Sequence, residues 1–77
     1  MEQIELRFAN AVKKRRKELE MSQETFAEAA GIHRTYASSI ERGKVQVSIV
    51  VASQIAQALK LKLSELLARA ESEKGIR

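Results

Sequence analysis

A sequence of 77 residues with a formal net charge of +4 predicts one small domain with one hydrophobic core. It contains no cysteine, which excludes disulfides, thiolate metal sites and cysteine nucleophiles, and no apolar run long enough to predict secretion or a membrane span. The absence of proline and the presence of only three glycines favour an all-α chain with short connections. A cytoplasmic protein is expected, and the basic excess suits a polyanionic partner.

The first helix is predicted over residues 2–19. Apolar residues recur there at three- and four-residue spacing, at Ile4, Phe8, Ala11, Val12 and Leu19. Residues 13–17 form an unbroken basic run. A helix spreads five successive side chains around its whole circumference, so only some of them can face a single partner.

Two short helices joined by a tight turn are predicted over about residues 22–43. Ser22 is a good N-cap for a helix that ends at Gly31, because glycine reaches positive φ without a steric penalty. A second helix is predicted from about His33 to Arg42, and Gly43 ends it. This pattern is typical of a helix-turn-helix, whose second helix enters the major groove of DNA.

The remaining residues predict two more helices and a polar tail. Ser48 is a plausible N-cap for a fourth helix with a buried stripe at Ile49, Ala52, Ile55, Ala56 and Leu59. Ser64 is expected to start a fifth helix that reaches Ala70, and residues 71–77 are expected to fray. With no repeat or linker in the sequence, the prediction is a single all-α domain of five helices.

Residues 22–32, SQETFAEAAGI, and residues 34–44, RTYASSIERGK, resemble the Cro/phage-repressor (XRE) helix-turn-helix family. The Arg-Thr-Tyr triplet at 34–36, the IERGK ending and the small size are most similar to the controller proteins of restriction–modification systems. The resemblance covers nearly the whole chain and implies a lambda-repressor-like fold. The chain departs from the family at Glu20 and Lys60, where glycine is usual, and at residues 45–47, where Arg-Asn-Pro is frequent.

The first turns of the second motif helix should face base edges. Arg34 is the main candidate, because a guanidinium can bond guanine O6 and N7 together. The other candidates offer hydroxyl or ring contacts; they are Thr35, Tyr36, Ser38 and Ser39. The alternative is that these side chains are simply solvated surface residues.

Phosphate contacts are expected around the same helices. Gln23 begins a helix whose free N–H groups favour an anion, and the resemblance implies phosphate contacts near Gly43; the full candidate set is Gln23, His33, Arg42, Lys44 and Gln46. His33 is better interpreted as an N-cap or helix flank than as a metal ligand, since the sequence offers no second histidine or cysteine. The family pattern also implies a structural ion pair between Arg16 and Glu41.

One helix-turn-helix buries little surface, so a two-fold dimer on a pseudo-palindromic operator is expected. The candidate interface is helix five with the end of helix four, at Leu61, Leu63, Leu66, Leu67 and Ala70; the alternative is that these residues close the monomer core. The resemblance implies a transcription regulator that acts at its own promoter and that of the endonuclease, with RNA polymerase as a further candidate partner. An antitoxin or a phage-type repressor is the alternative. No cofactor, metal, catalytic residue or small-molecule ligand is predicted.

Overall fold

The computed structural model describes residues 3–73, which fold into five helices without a strand. The helices are α1 (Ile4–Glu18), α2 (Gln23–Ala30), α3 (Arg34–Glu41), α4 (Ile49–Ala58) and α5 (Leu63–Ser72). This confirms the predicted all-α architecture. Within residues 3–73 no helix combines the length and apolar character that crossing a bilayer requires.

Side-chain caps start three of the helices at the positions that the sequence predicts. Ser22 Oγ accepts a hydrogen bond from the Thr25 N–H at 3.0 Å, and Ser48 Oγ accepts one from the Val51 N–H at 3.1 Å. The Nδ1 atom of His33 accepts a hydrogen bond from the Thr35 N–H at 3.2 Å, so His33 is the N-cap of α3. Each cap satisfies a backbone donor that the first helical turn leaves free.

The predicted start of α5 is wrong by one residue, because the helix begins at Leu63 and not at Ser64. Lys62 is its N-cap, and the Lys62 backbone N–H donates to Glu65 Oε1 at 2.8 Å. The helix also continues through Glu71 and Ser72, which the sequence pattern assigned to a frayed tail. Residues 74–77 of that predicted tail lie outside the described part of the chain.

Four helices end in left-handed turns, two at glycine and two at other residues. Gly31 and Gly43 have φ of +73° and +68°, and Glu20 and Lys60 have φ of +57° and +60°. The residue after each of the four donates its N–H to a carbonyl five positions earlier, as in a Schellman motif. The chain therefore keeps the turn at Glu20 and Lys60 although it lacks the glycine that makes such a turn free of strain.

The core is mostly aliphatic, with Phe8 and Phe26 as its aromatic members, and lies where all five helices meet. Its largest fully buried side chains are Val12, Phe26, Ile40, Ile55, Leu59 and Leu66. Ala70 is also fully buried, so Leu66 and Ala70 belong to the monomer core and not to the predicted dimer interface. Leu61 and Leu63 are half-buried against the same core, which leaves Leu67, at 40% exposure, as the most accessible of the five predicted interface residues.

Candidate nucleic-acid interface

Helix α3 buries one face and leaves the other open to solvent. Ala37 and Ile40 pack into the core, whereas Arg34 and Thr35 are exposed and Tyr36 is partly exposed. The predicted positions Ser38 and Ser39, one turn further along, are also partly exposed. The residues that the sequence assigns to base contact are therefore accessible, while the apolar positions of the same short helix hold it against α1 and α2.

A shallow cleft of about 230 Å³ brings together five of the predicted DNA-contacting residues: Gln23, Arg34, Thr35, Ser38 and Arg42. These residues offer two guanidinium groups, two hydroxyls and one amide, and none of them is acidic. Guanidinium, hydroxyl and amide donors suit phosphate oxygens and the acceptor edges of bases. The cleft connects the start of α2 with the exposed face of α3. Gln23 and Arg34, which line it from these two helices, are eleven residues apart in the sequence.

A buried carboxylate connects this cleft to the rest of the domain. Glu41, which is 3% exposed, accepts hydrogen bonds from Arg16 Nε at 2.6 Å and from Arg16 Nη2 at 3.0 Å. Gln23 Nε2 donates to Glu41 Oε1 at 3.2 Å, and Arg16 Nη1 donates to the Met21 carbonyl at 2.8 Å. The predicted Arg16–Glu41 pair is present. The bond from Arg16 to the Met21 carbonyl was not predicted.

The residues around α3 that are predicted to contact phosphate differ in their partners within the protein. Arg42 and Lys44 are exposed on either side of Gly43, with no internal partner shown for their charges among residues 3–73. Gln46 instead donates from Nε2 to Glu5 Oε2 at 3.0 Å. A neighbouring carboxylate disfavours a phosphate, so Gln46 is better assigned to holding the loop after α3 against α1.

The basic run at residues 13–17 is largely structural. Arg15 Nε donates to the Leu59 carbonyl at 2.9 Å, and Lys14 pairs with Glu73 at 3.1 Å. Glu18 accepts from both Arg15 and Arg69 at 3.1 Å, and hydrogen bonds from these two arginines lower the pKa of the Glu18 carboxyl. With Arg16 bound to Glu41, three of the five basic residues hold α1 to the other helices, and Lys13 and Lys17 remain as candidates for a diffuse attraction to DNA.

The chain is similar to known proteins in sequence and in fold. The model of the family described as Helix-turn-helix matches residues 12–66, which include α2, α3 and α4. Control protein C.MunI from a Mycoplasma species is 47% identical over 74 residues, which are 95% of this chain and 100% of that protein. This chain belongs to the helix-turn-helix family.

Among solved structures of this helix-turn-helix family, two controller proteins of restriction–modification systems are similar. C.AhdI from Aeromonas hydrophila has 34% identity and a TM-score of 0.78, over 80% of this chain and 94% of that chain. C.Esp1396I bound to a 25 base pair operator site has 26% identity and a TM-score of 0.81, over 95% of this chain and all of that chain. The chain is therefore a helix-turn-helix protein of the controller type.

One exposed apolar surface of this helix-turn-helix protein was predicted only in part, at Leu67. Ile4, Ile49, Val50 and Leu67 are 52%, 73%, 64% and 40% exposed, and we call these four residues the apolar patch. Ile4, Ile49 and Leu67 line one open groove of about 390 Å³. The sequence pattern placed Ile49 in a buried stripe, and this was wrong. A usable signal was the run Ile49-Val50-Val51, because three successive residues span about 200° of a helix and cannot all be covered.

Proposed function

We propose that this protein is a sequence-specific transcription regulator that binds a pseudo-palindromic operator as a homodimer. In a restriction–modification system it would control its own gene and the endonuclease gene. The exposed face of α3 and its donor-lined cleft carry this proposal, because they place two guanidinium groups and two hydroxyls on a helix of the size that enters a major groove. The operator-bound structure of C.Esp1396I, a similar protein, supports it.

The assignments at the interface follow from accessibility. Arg34 is the main base-contacting residue, with Thr35, Tyr36, Ser38 and Ser39 around it on the same helix. Gln23, His33, Arg42 and Lys44 are the phosphate-contacting residues, and they position α3 without selecting sequence. RNA polymerase is the further partner that an activator at this promoter would require, and contact with it stays a prediction.

The apolar patch is the proposed dimer interface. It lies on α1, α4 and α5 and contains no residue of α2 or α3, so a second copy can cover it while both recognition helices remain exposed. Ile49 lines the groove together with Ile4 and Leu67, and the exposed Val50 follows it at the start of α4, so Val50 of each copy can reach the groove of the other. The two half-sites would then lie about 34 Å apart, one turn of DNA.

Selection from random duplexes tests this proposal and identifies the operator sequence in the same experiment. Random duplexes of 25 base pairs, the length of the operator site bound by C.Esp1396I, are incubated with the protein, recovered and sequenced. We expect enrichment of an inverted repeat, and an affinity for it that falls about 10³- to 10⁵-fold between about 50 and 200 mM salt. Absence of an enriched sequence, or an affinity independent of salt, would contradict the proposal.

A further inference from the structure

His33 occupies a special position at the start of the recognition helix. It is the one histidine in the sequence, its side chain is exposed, and its Nδ1 accepts the Thr35 backbone N–H at 3.2 Å. A ring nitrogen that accepts a hydrogen bond carries no hydrogen itself, so the ring hydrogen of the neutral form is on Nε2. Only the neutral imidazole can make this cap.

We propose that His33 is a proton-sensitive cap, which keeps the first turn of α3 in its DNA-reading geometry while neutral and releases it when protonated. The inference rests on the proposed function of α3 and concerns how that same helix is controlled. Most helix caps are hydroxyls, amides or carboxylates, and Ser22 and Ser48 serve α2 and α4 in this way. The cap of α3 is instead an imidazole, which accepts the backbone N–H through Nδ1 only when that nitrogen carries no hydrogen.

Protonation changes the start of α3 in two ways. It places a hydrogen on Nδ1, opposite the Thr35 N–H, so two donors face each other and the backbone donor loses its partner. It also adds a positive charge at the end of the helix where the macrodipole is already positive. Both effects loosen the turn that holds Arg34 and Thr35, which are the proposed base-contacting residues.

The added charge has a separate effect on DNA binding. A protonated His33 attracts the phosphates of any duplex, whatever its sequence. We therefore expect protonation to lower the preference for operator over unrelated DNA, while the affinity for unrelated DNA stays equal or rises. This combination distinguishes loss of the cap from a general loss of binding.

No salt bridge within residues 3–73 involves the His33 ring. The charged residues on α3 itself are Arg34 and Glu41, and Glu41 is bound to Arg16 of α1; α2 contributes Glu24 and Glu28. Within residues 3–73, no carboxylate oxygen lies within 4.0 Å of a His33 ring nitrogen. The Thr35 N–H is the hydrogen-bond partner of the ring, so the cap responds directly to the charge of His33.

The comparison of wild type with His33→Asn tests the proposal on DNA. Asparagine is among the best N-caps and does not titrate, so it keeps the cap at every pH used. The probes are the selected inverted repeat and a scrambled duplex of equal composition, measured by fluorescence anisotropy at about pH 7.5 and 5.5. For wild type, the operator-to-scrambled affinity ratio should fall about three- to ten-fold, as expected for loss of one cap. For His33→Asn, the ratio should stay constant.

An unchanged or higher ratio for wild type at the lower pH, or an equal fall for His33→Asn, would overturn the proposal. If wild type has no operator preference at the higher pH, the proposed function fails, and the cap is then tested by NMR on the protein without DNA. There, the amide resonance of Thr35 should move with the same titration as the His33 ring nitrogens in NMR spectra. A Thr35 amide that does not respond while the ring titrates would also overturn the proposal.

Discussion

Arg16 and Glu41 form a two-point ion pair across 25 positions of the chain, with N–O distances of 2.6 and 3.0 Å. The Glu41 side chain has only 1% of its surface exposed and that of Arg16 has 12%. Through Gln23 and the Met21 carbonyl, the same pair also connects to the start of α2. This pair therefore fixes α1, α2 and α3 relative to one another, and with them the cleft proposed to contact DNA.

Removal of one partner of this pair should destabilise the domain strongly. Arg16→Met or Glu41→Leu leaves the other charge buried without its partner, which costs about 3–5 kcal/mol of unfolding free energy. The double variant leaves no charge unpaired and should recover a large part of that loss. Urea denaturation of the four proteins measures the coupling. Additive losses would show that the two side chains do not depend on each other.

Arg34→Ala and Lys44→Ala should affect DNA binding in different ways. Loss of Arg34 removes a base contact, which is worth about 1–3 kcal/mol of discrimination, so the preference for operator should fall. Loss of Lys44 removes a phosphate contact, so all duplexes should bind more weakly and the salt slope should decrease by about one contact per monomer. Circular dichroism checks that both variants stay helical. An unchanged operator preference in Arg34→Ala would refute its role in base contact.

Gly43→Ala should cost more stability than Gly31→Ala. Both glycines have positive φ, so both substitutions incur the strain of a left-handed alanine, about 1–2 kcal/mol. A Cβ on Gly43 would also overlap Leu6 Cδ2, whereas a Cβ on Gly31 has no atom within 4 Å. The difference between the two midpoints in urea measures this overlap. Equal losses would mean that Leu6 moves aside at no cost.

Glu20→Gly and Lys60→Gly should each stabilise the domain. Both positions are left-handed without being glycine, so glycine relieves strain that outweighs its greater freedom in the unfolded chain. A gain of about 0.5–1 kcal/mol each is expected, measured as a higher unfolding midpoint. Glu24→Gly, an exposed position inside α2, is the control and should lose about 1 kcal/mol. A loss in all three variants would show that the turns carry no relievable strain.

Ile49→Ser and Val50→Ser should weaken dimerisation without unfolding the monomer. Both side chains are largely exposed in the monomer, so their removal costs the fold little, whereas the proposed interface loses its central apolar contacts. Analytical ultracentrifugation over a concentration series gives the dissociation constant. Gln57→Ser, an exposed change on the same helix, is the control and should dimerise as wild type. An equal dissociation constant for all variants would place the interface elsewhere.

Much of the fold follows from short-range patterns. The caps at Ser22 and Ser48, the left-handed stop at Gly31 and the amphipathic spacing of each helix act within a few residues, so the sequence alone determines that the helix-turn-helix forms and which face of α3 stays exposed. The family resemblance supplied the Arg16–Glu41 pair, which no local spacing predicts.

The tertiary structure decided which apolar surfaces are covered. Ile49 and Leu66 are both apolar residues on amphipathic helices, yet Ile49 is 73% exposed and Leu66 is fully buried. The difference depends on how α4 packs against α2 and α5 and on how α5 packs against α1. The bond from Arg15 to the Leu59 carbonyl also holds the end of α4 to α1. Burial depends on neighbours distant in the chain, whereas caps and periodicity depend on adjacent residues, so the helices were predictable from sequence and the exposure of Ile49 was not.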